Sequence, residues 1–269
     1  MATTKPYVLV FDTPWLLMTF RRHNEIQPTF GAIARLVSKH LTLGRCVKIL
    51  PFSVAAKNEF LKITRLRLPD DKIQVVPPGI RIPSIDSCVQ RNDETVRILF
   101  VGRNFDRKGG SQLLSAFEKL CLKYDNLTLV IKTKRRVDIP VSLKGKIELI
   151  NTEISTEQLS QLYGSSDIYV SPTLWEPFGL TNVEAMSYGL PVVASRHYAI
   201  PEIVEDGQTG FLFQTGNVDD LVSKLVPLIE DEGLRKQMGS AGRSRAIENF
   251  SSEKACAKLY SVYEEAFTK

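Results

Sequence analysis

Short apolar runs, many of them rich in β-branched residues, alternate along the chain with longer segments whose apolar positions recur every three or four residues. The short runs predict β-strands and the longer segments predict helices. The predicted strands are 7–11, 46–50, 72–76, 96–102, 127–132, 146–150, 167–172, 191–195 and 210–213. The predicted helices are 30–41, 55–66, 111–124, 156–166, about 180–188, 217–230, 232–248 and 252–266. This alternation is typical of an α/β protein with a parallel sheet.

A segment rich in proline and polar residues separates two such series. Residues 76–95 contain three prolines and one glycine among many polar side chains, which is typical of a linker. We therefore predict an N-terminal α/β domain at 1–80, a linker at 81–95 and a Rossmann-like domain with a parallel sheet at 96–251. The remaining segment, 252–269, is predicted to form a C-terminal helix, for which packing back on the N-terminal domain is one arrangement.

The composition is that of an ordinary soluble globular protein. Of the 269 residues, 43% are hydrophobic and 24% are charged, and no apolar run approaches the roughly 20 residues that span a bilayer. The N-terminus lacks a basic region followed by a long apolar core, so no signal peptide is expected. Four cysteines without CxxC pairing predict free thiols in a reducing cytoplasm, instead of disulfides or a zinc site.

Positive charge is concentrated in the N-terminal third of the chain. Residues 1–95 carry 14 lysines and arginines against 8 acidic residues, whereas residues 96–269 carry 21 against 22. One interpretation is a solvated basic surface, and the other is a face for an anionic partner such as a lipid phosphate, a membrane surface or nucleic acid. Nucleic acid is expected least, because the sequence has neither zinc-finger spacing nor an RNA-binding aromatic strand motif.

The loop VGRNFDRKGG, residues 101–110, follows a predicted strand and precedes a predicted helix. Glycines in such a loop let the backbone approach a ligand closely, and ligands of open parallel sheets bind at the carboxyl ends of strands. Arg103 and Lys108 would converge there as a planar fork and a mobile point charge. Because similar loops are common, a pair of solvated cations is the competing interpretation.

The segment LWEPFGLTNVEAMSYGLPVVAS, residues 174–195, supplies further candidate groups. If a helix begins near residue 180, the backbone amides of its first turn form an anion site, supported by the helix dipole. These amides belong to Phe178, Gly179, Leu180 and Thr181.

Two glutamates bracket this predicted anion site. Glu184 lies too close to a phosphate there to contact it favourably, so we expect it to accept hydrogen bonds from neutral hydroxyls, such as those of a ribose. Glu176, in the loop before the helix, is expected to face hydroxyls beyond the phosphates. The alternative is that Glu184 only favours the helix N-terminus and that Glu176 is a loop surface residue.

Four blocks of the sequence together resemble the retaining GT-B glycosyltransferases of glycosyltransferase family 4. They are GRNFDRKGG, the Glu-x7-Glu of EPFGLTNVE, AMSYGLPVVAS, and PEIVEDGQTGFLF at 201–213. Their order and spacing match over roughly residues 75–269, and residues 49–80 are similar to the end of that family's N-terminal domain and its linker. The resemblance implies a GT-B-like α/β fold, in which a Rossmann-like C-terminal domain is joined to a reduced N-terminal α/β domain.

The resemblance also implies a chemistry. Arg103 and Lys108 would hold the diphosphate of a nucleotide-sugar donor and stabilise charge on the leaving group, while Glu176 hydrogen-bonds sugar hydroxyls. No metal or other cofactor is expected, because cations and a helix N-terminus supply the electrostatic stabilisation. Retention is explained by front-face attack, in which a donor phosphate oxygen accepts the proton of the acceptor hydroxyl, so no protein nucleophile is nominated.

The remaining site residues are expected to bind the donor. Glu184 would bind the ribose, the loop around Ile150 and Asn151 would contact the base, and the amides at the helix start would meet sugar and phosphate. The complete predicted donor-binding set is Gly102, Ile150, Asn151, Phe178, Gly179, Leu180, Thr181 and Glu184.

The chain departs from the family pattern in three places. About 75 residues precede the linker, roughly half of the family's N-terminal domain, and the glycine-rich loop after the first strand has no counterpart. Tyr198 and Ala199 replace a glycine pair, and Lys132 stands where the family often has a glycine near the nucleotide.

The predicted function is nucleotide-sugar-dependent glycosyl transfer to an unidentified acceptor. The alternative is a donor-binding subunit or fragment that needs a partner chain.

The N-terminal region suggests a partner of its own. Residues 15–20 contain a tryptophan and several large apolar residues and precede two arginines, which fits either an interfacial anchor or a buried edge element. An uncovered edge strand at 7–11 would favour pairing with another chain. We therefore expect a cytoplasmic protein that self-associates or binds an anionic membrane surface peripherally. The three histidines, His23, His40 and His197, are too far apart in sequence to suggest a metal site.

Overall fold

The computed structural model describes residues 7–12, 46–84 and 94–267. The chain divides into two compact units, residues 1–79 with 252–269 and residues 80–251. The predicted helix 30–41, the run 15–20, residues 85–93 of the predicted linker, His23 and His40 lie outside the described residues.

The described part of the chain forms eight strands and eight α-helices. The strands are β1 (Tyr7–Phe11), β2 (Cys46–Pro51), β3 (Val96–Val101), β4 (Leu127–Lys132), β5 (Ile147–Ile150), β6 (Ile168–Ser171), β7 (Val192–Ser195) and β8 (Gly210–Phe213). The helices are α1 (Val54–Thr64), α2 (Gly110–Cys121), α3 (Thr156–Gly164), α4 (Leu180–Ser187), α5 (Ile200–Ile203), α6 (Val218–Glu230), α7 (Glu232–Phe250) and α8 (Ser252–Phe267). The short helix α5 and a 3₁₀ turn at Val141–Leu143 are not among the predicted elements.

The predicted strand at 72–76 is wrong, and Pro51 is the reason. This segment runs beside β2, but only Ile73 forms a bridge, with Ile49. The Ile49 amide donates to the Lys72 carbonyl at 2.9 Å, and the Ile49 carbonyl accepts from the Gln74 amide at 3.0 Å. The next bond of a parallel ladder would require an amide hydrogen at residue 51, which proline lacks. No second bridge therefore forms, although the Val76 amide still donates to the Pro51 carbonyl at 3.0 Å.

The first unit joins β1 and β2, which are parallel, to helices α1 and α8. The side chain of Ser53 caps α1 by accepting a hydrogen bond from the Ala56 amide at 3.0 Å. Buried Val262 of α8 packs in one apolar cluster with Leu50 of β2. A polar contact supports the same interface, because the Lys48 ammonium group lies 3.2 Å from the Glu265 carboxylate.

The second unit is built on a six-stranded parallel sheet with the order β5–β4–β3–β6–β7–β8. The chain proceeds from β3 outward to β5, returns to place β6 beside β3, and then proceeds outward to β8. Phe117 of α2 and Leu221 of α6 lie in the same buried cluster as Phe100 of β3. Among the helices that the structure describes, none has both the length and the apolar character that a membrane crossing requires.

Local sequence signals set several helix ends in this unit. Ser155 and Gln158 form a capping box at the start of α3. Gly189 follows α4 with a φ of 77°, in the left-handed region that favours glycine, and so serves as the C-terminal glycine of that helix. These ends matter because α3 and α4 carry residues of the candidate site.

Helix α7 packs on the end of α4 through a glycine. A Cβ added at Gly239 would overlap the carbonyl oxygen of Gly189. We therefore expect Gly239→Ala to lower the free energy of unfolding by about 1–3 kcal/mol, because the two backbones must separate. Urea unfolding followed by circular dichroism would measure the change.

A matched control lies one turn further along the same helix. A Cβ at Gly242 would lie 3.4 Å from the Met186 Cγ, which is an ordinary contact. Gly242→Ala is expected to leave stability unchanged or to raise it by up to about 1 kcal/mol, because alanine has the higher helix propensity. Equal losses in the two variants would contradict the role given to Gly239.

Candidate functional site

The connectivity of the large sheet creates a crevice between β3 and β6. Chain segments leave these neighbouring strands toward opposite edges, so their carboxyl ends form a topological switch point. Ligands of open α/β sheets bind at such points. The loops that flank the crevice are residues 102–109, after β3, and residues 172–179, after β6. Both loops carry residues that the sequence analysis selected.

Three glycines allow close backbone contacts around the first of these loops, and one of them, Gly109, lies against the second loop. Gly109 has a φ of 73°, and a Cβ there would overlap the carbonyl oxygen of Pro172. A Cβ at Gly110 would overlap the ring of Phe105. The buried Gly102 donates its amide hydrogen to the Lys132 carbonyl at 2.9 Å. In this structure the Lys-Gly-Gly glycines approach protein atoms, which fixes the loop without the help of a ligand.

An ion pair between Lys108 and Glu176 joins the two loops. Their side chains are 12% and 13% exposed, so the pair is largely screened from water. From the sequence these two residues are expected at different parts of a donor, whereas in the structure they are in direct contact. A largely buried carboxylate needs such a partner, because desolvation of an unpaired charge is costly.

Arg107 is a second cation at Glu176 that sequence reasoning missed. Its Nη1 lies 3.9 Å from the Glu176 carboxylate and donates to the Trp175 carbonyl at 2.8 Å. The guanidinium group also lies 5.5 Å from the centre of the Trp175 ring, within cation–π range. A signal was available, because Arg107 directly precedes Lys108 in the loop already selected.

Arg103 lies on the same loop as Lys108 but is exposed to solvent. Its charge reaches the loop after β5, where Glu153 lies. A hydrogen bond and the charge of Lys134 lower the pKa of Glu153 from its usual value, and the charges of Lys132 and Arg103 add to this effect. Arg103 is therefore an exposed cation of the β3 loop, and its charge acts toward the loop after β5.

Helix α4 begins at Leu180, near its predicted start, and its N-terminus carries backbone amide donors. Gly179 is the N-cap residue, with a φ of 101°, and no side chain caps this helix end. Phe178 is buried and packs edge-to-face on Phe250, with ring centres 6.2 Å apart. Leu180 and Thr181 form the first turn of the helix, where amide hydrogens lack helical acceptors. The geometry suits an anion in the crevice.

Glu184 is held by a buried tyrosine. The Tyr163 hydroxyl donates to a Glu184 carboxylate oxygen at 2.8 Å, and the Tyr163 ring stacks on Tyr188 with centres 5.3 Å apart. Burial, with the charges of Tyr169 and Glu184, raises the pKa of Tyr163 well above its usual value. Tyr163 therefore remains a protonated donor and leaves the other Glu184 oxygen available. No sequence spacing connects α3 to Glu184, so this pair was not predicted.

Ile150 and Asn151 lie two strands away from β3, at the end of the edge strand β5. Neighbouring strands are about 4.8 Å apart, so these residues are roughly 10 Å from the β3 loop along the sheet. The Ile150 carbonyl accepts from the Thr133 amide at 3.1 Å, and Asn151 is exposed. The predicted site residues are thus spread across the β5, β3 and β6 ends instead of forming one cluster.

Buried polar atoms on the other side of the crevice were also missed. Within the described ranges, both amide atoms of Asn182, the Ser195 hydroxyl and the His197 Nε2 are buried without a hydrogen-bond partner. Burial lowers the pKa of His197, and the nearby Glu176 charge partly opposes this shift. Tyr198 adopts a φ of 46°, the left-handed conformation for which glycine is better suited.

The described residues contain no cluster of three or more His, Cys, Asp or Glu side chains that could hold a metal ion. The described cysteines, Cys46, Cys121 and Cys256, are free thiols, as predicted.

Solved structures share the fold of this chain. A glycosyltransferase from Rickettsia africae aligns with a TM-score of 0.75 at 22% identity, covering 87% of this chain and 68% of that one. Anabaena Alr3699/HepE in complex with UDP and glucose aligns with a TM-score of 0.73 at 16% identity, covering 96% and 71%. Together with the parallel sheet, these similarities confirm the predicted α/β, GT-B-like fold class.

Curated relatives are similar at the level of sequence. An MMP alpha-(1->4)-mannosyltransferase from Mycolicibacterium hassiacum is 31% identical over 232 residues, which cover 82% of this chain and 55% of the relative. A D-inositol 3-phosphate glycosyltransferase from Corynebacterium diphtheriae is 31% identical over 219 residues, which cover 73% and 51%. The chain thus spans about half the length of these relatives.

The sequence model of one family matches residues 84–245, which is more than half of the chain and includes every residue of the crevice. The chain therefore belongs to the family described as glycosyl transferases group 1.

Proposed function

We propose that this protein transfers a sugar from a nucleotide-sugar donor to a hydroxyl group, with retention of anomeric configuration and without a metal. The observation that carries the proposal is the convergence of three features on the β3–β6 crevice: the Arg103–Lys108 loop, the open N-terminus of α4 and Glu176. The cationic loop and the helix N-terminus would bind a diphosphate, and the Glu176 carboxylate would accept hydrogen bonds from sugar hydroxyls. The mannosyl and glycosyl transferase names of the relatives support this reaction class.

The structure supports a division of the donor along the sheet. The diphosphate would lie between Arg103, Lys108 and the first-turn amides of α4. The ribose would meet Glu184, whose orientation is fixed by Tyr163. The base would extend toward Ile150 and Asn151, and the sugar toward Glu176. The neighbour crystallised with UDP and glucose supports a nucleotide and a sugar as ligands of this fold.

In the proposed reaction, the bond between the anomeric carbon and the donor phosphate oxygen breaks while the acceptor oxygen attacks the same face. The acceptor proton passes to a phosphate oxygen, so the products are a nucleoside diphosphate and a glycoside. Lys108 and Arg103 would stabilise the negative charge that develops on the diphosphate, which is the part of the transition state where preorganised charge helps most. Glu176 would orient the sugar through its hydroxyls.

Donor binding must change the ion pair at the centre of this site. Without a donor, Glu176 neutralises Lys108. A diphosphate beside Lys108 would share its ammonium group, and Arg107, at 3.9 Å from Glu176, is placed to take over part of the carboxylate charge. This exchange would keep Glu176 ionised while the diphosphate gains a cation.

A donor-binding unit that needs further chain segments is the second candidate, because the chain spans about half the length of its relatives. Incubation with UDP-, GDP- and ADP-sugars and a panel of acceptors, with nucleoside diphosphate release as the readout, would distinguish the two. Donor binding with turnover supports the enzyme, and saturable binding without turnover supports the binding unit. Proton NMR of the product would report the anomeric configuration, and excess EDTA would test metal independence. Failure to bind any donor would sink both candidates.

The cleanest test of the diphosphate site is Arg103→Ala, because Arg103 is exposed. We expect donor turnover to fall on the order of 10²-fold, as for the loss of a preorganised charge, with no change in the unfolding midpoint. Lys144→Ala is the matched control, since this exposed lysine precedes β5 and lies at the opposite end of the strands. Lys108→Ala should lower turnover similarly but also lower stability, because it leaves Glu176 without its closest cation. Normal turnover in Arg103→Ala would remove that residue from the site.

The two glutamates are expected to respond differently to replacement by glutamine. Glu184→Gln should weaken binding of both the nucleoside diphosphate and the complete donor, because both contain the ribose. Tyr163 can still donate to the new amide oxygen, so the fold should be little affected. Glu176→Gln should leave nucleoside diphosphate affinity nearly unchanged while lowering turnover of the complete donor. Isothermal titration calorimetry and initial rates would measure these effects, and equal losses of diphosphate affinity in both variants would show that the division of roles is wrong.

A further inference from the structure

Lys132 reaches from the end of β4 across to the loop that follows β5. Its ammonium group donates to the Thr152 carbonyl at 2.8 Å and lies 3.5 Å from the Thr133 carbonyl. A lysine at the end of a strand would ordinarily extend into solvent. Here it is partly buried and hydrogen-bonded to the backbone of a neighbouring loop, so it acts as a crosslink between the ends of β4 and β5.

Two further contacts hold the same segment, residues 150–153, which consists of the last residue of β5 and the loop that follows it. The Thr133 amide donates to the Ile150 carbonyl at 3.1 Å, and Lys134 forms an ion pair with Glu153. The β4 end that makes these contacts is itself fixed, because the Arg135 amide donates to the Thr133 hydroxyl at 3.3 Å. It therefore contacts the segment at its first, third and fourth residues.

This loop has little else to hold it in place. It follows a four-residue strand at the edge of the sheet, and Asn151, Thr152 and Glu153 are all exposed. Short exposed segments with few buried apolar contacts open at low free energy. Hydrogen bonds from a charged donor are stronger than neutral ones, so the Lys132 contacts contribute much of the local order.

The loop also leads directly into the helix that orients Glu184. Ser155 caps α3, and Tyr163 near the end of α3 donates to the Glu184 carboxylate. Under the proposed function, the ribose lies at Glu184 and the base extends toward the β5 end. A displaced loop would then change the surface that faces the base while leaving the β3–β6 crevice intact.

We propose that Lys132, assisted by Lys134, is a positioning residue for base recognition, holding residues 150–153 where they contact the base of a nucleoside diphosphate. The inference rests on the proposed function, because it assumes that a nucleotide binds. Lys132 itself donates to the protein backbone and is not a catalytic residue. Its effect should therefore appear in the affinity and ranking of bases and not in the binding of a diphosphate without a base.

Calorimetric titration with UDP, GDP, ADP and inorganic diphosphate tests this. In Lys132→Met, the affinity for the best-bound nucleoside diphosphate should fall about tenfold, the free-energy equivalent of one charged hydrogen bond. The differences among the three nucleotides should shrink, and inorganic diphosphate should bind as to the wild type. Amide hydrogen exchange of residues 150–155 should accelerate in the unliganded variant. Lys132→Arg should restore most of the affinity, and Lys144→Met should have no effect.

Several results would overturn the inference. Unchanged nucleotide affinity and ranking in Lys132→Met would do so, as would an equal loss for inorganic diphosphate, which would place Lys132 at the diphosphate. If Lys132→Met does not unfold cooperatively, Lys134→Met is the deciding variant. We then expect a smaller loss of affinity that is confined to the three nucleoside diphosphates. Unchanged nucleotide affinity in Lys134→Met would contradict the inference. A wild-type chain that binds none of the nucleotides would instead overturn the proposed function, on which the inference depends.

Discussion

The crevice depends on the absence of one side chain at Gly109. Because no Cβ intervenes, the loop after β3 lies directly on the backbone of the loop after β6. The Leu174 amide can then donate to the Arg107 carbonyl at 3.0 Å, and Arg107 reaches the Trp175 carbonyl. Only in this register does Lys108 meet Glu176. Any larger residue would separate the loops and disperse the charges that the candidate chemistry requires.

The charged residues of the crevice differ in their exposure to solvent. Lys108 and Glu176 are nearly buried and compensate each other, whereas Arg103 is exposed. Breaking a buried pair leaves an uncompensated charge and is costly, while removing an exposed charge has little effect on stability. The site thus has a preorganised centre and an exposed cation on the β3 loop. This arrangement suits an anionic ligand that is attracted by one cation and then shares the other.

The sequence predicted the large sheet well because its strands contain short continuous apolar runs, such as 98–101, which are typical of buried parallel strands. The start of α4 was also predicted, close to its observed first residue, Leu180. The prediction at 72–76 failed because strand pairing also depends on the partner strand. There, Pro51 lacks an amide hydrogen, and it lies some twenty residues away in the chain. Periodicity within the segment contains no information about its neighbour.

For the candidate site, too, the local features were predictable from the sequence and the contacts between distant segments were not. Groups carried by one loop, such as Arg103 and Lys108, were found from spacing alone. The partners that orient them were not, because Tyr163 and Glu184 meet only through the packing of α3 beside α4. Arg107 is the instructive intermediate case, since it was visible in the loop but had no apparent target until Glu176 and Trp175 were placed beside it.

The loops of the crevice and the loop at the β5 end are held in place by different kinds of contact. The loops that carry charge to the crevice are fixed by backbone contact between Gly109 and Pro172, which tolerates almost no substitution. The loop at the β5 end is fixed by side chains, chiefly Lys132, whose length and donors other residues replace only in part. Side-chain fastening can be altered without disturbing the sheet. Under the proposed function, substitutions in the loop at the β5 end would therefore change the surface offered to the base while the proposed phosphate site at β3 and β6 stays the same.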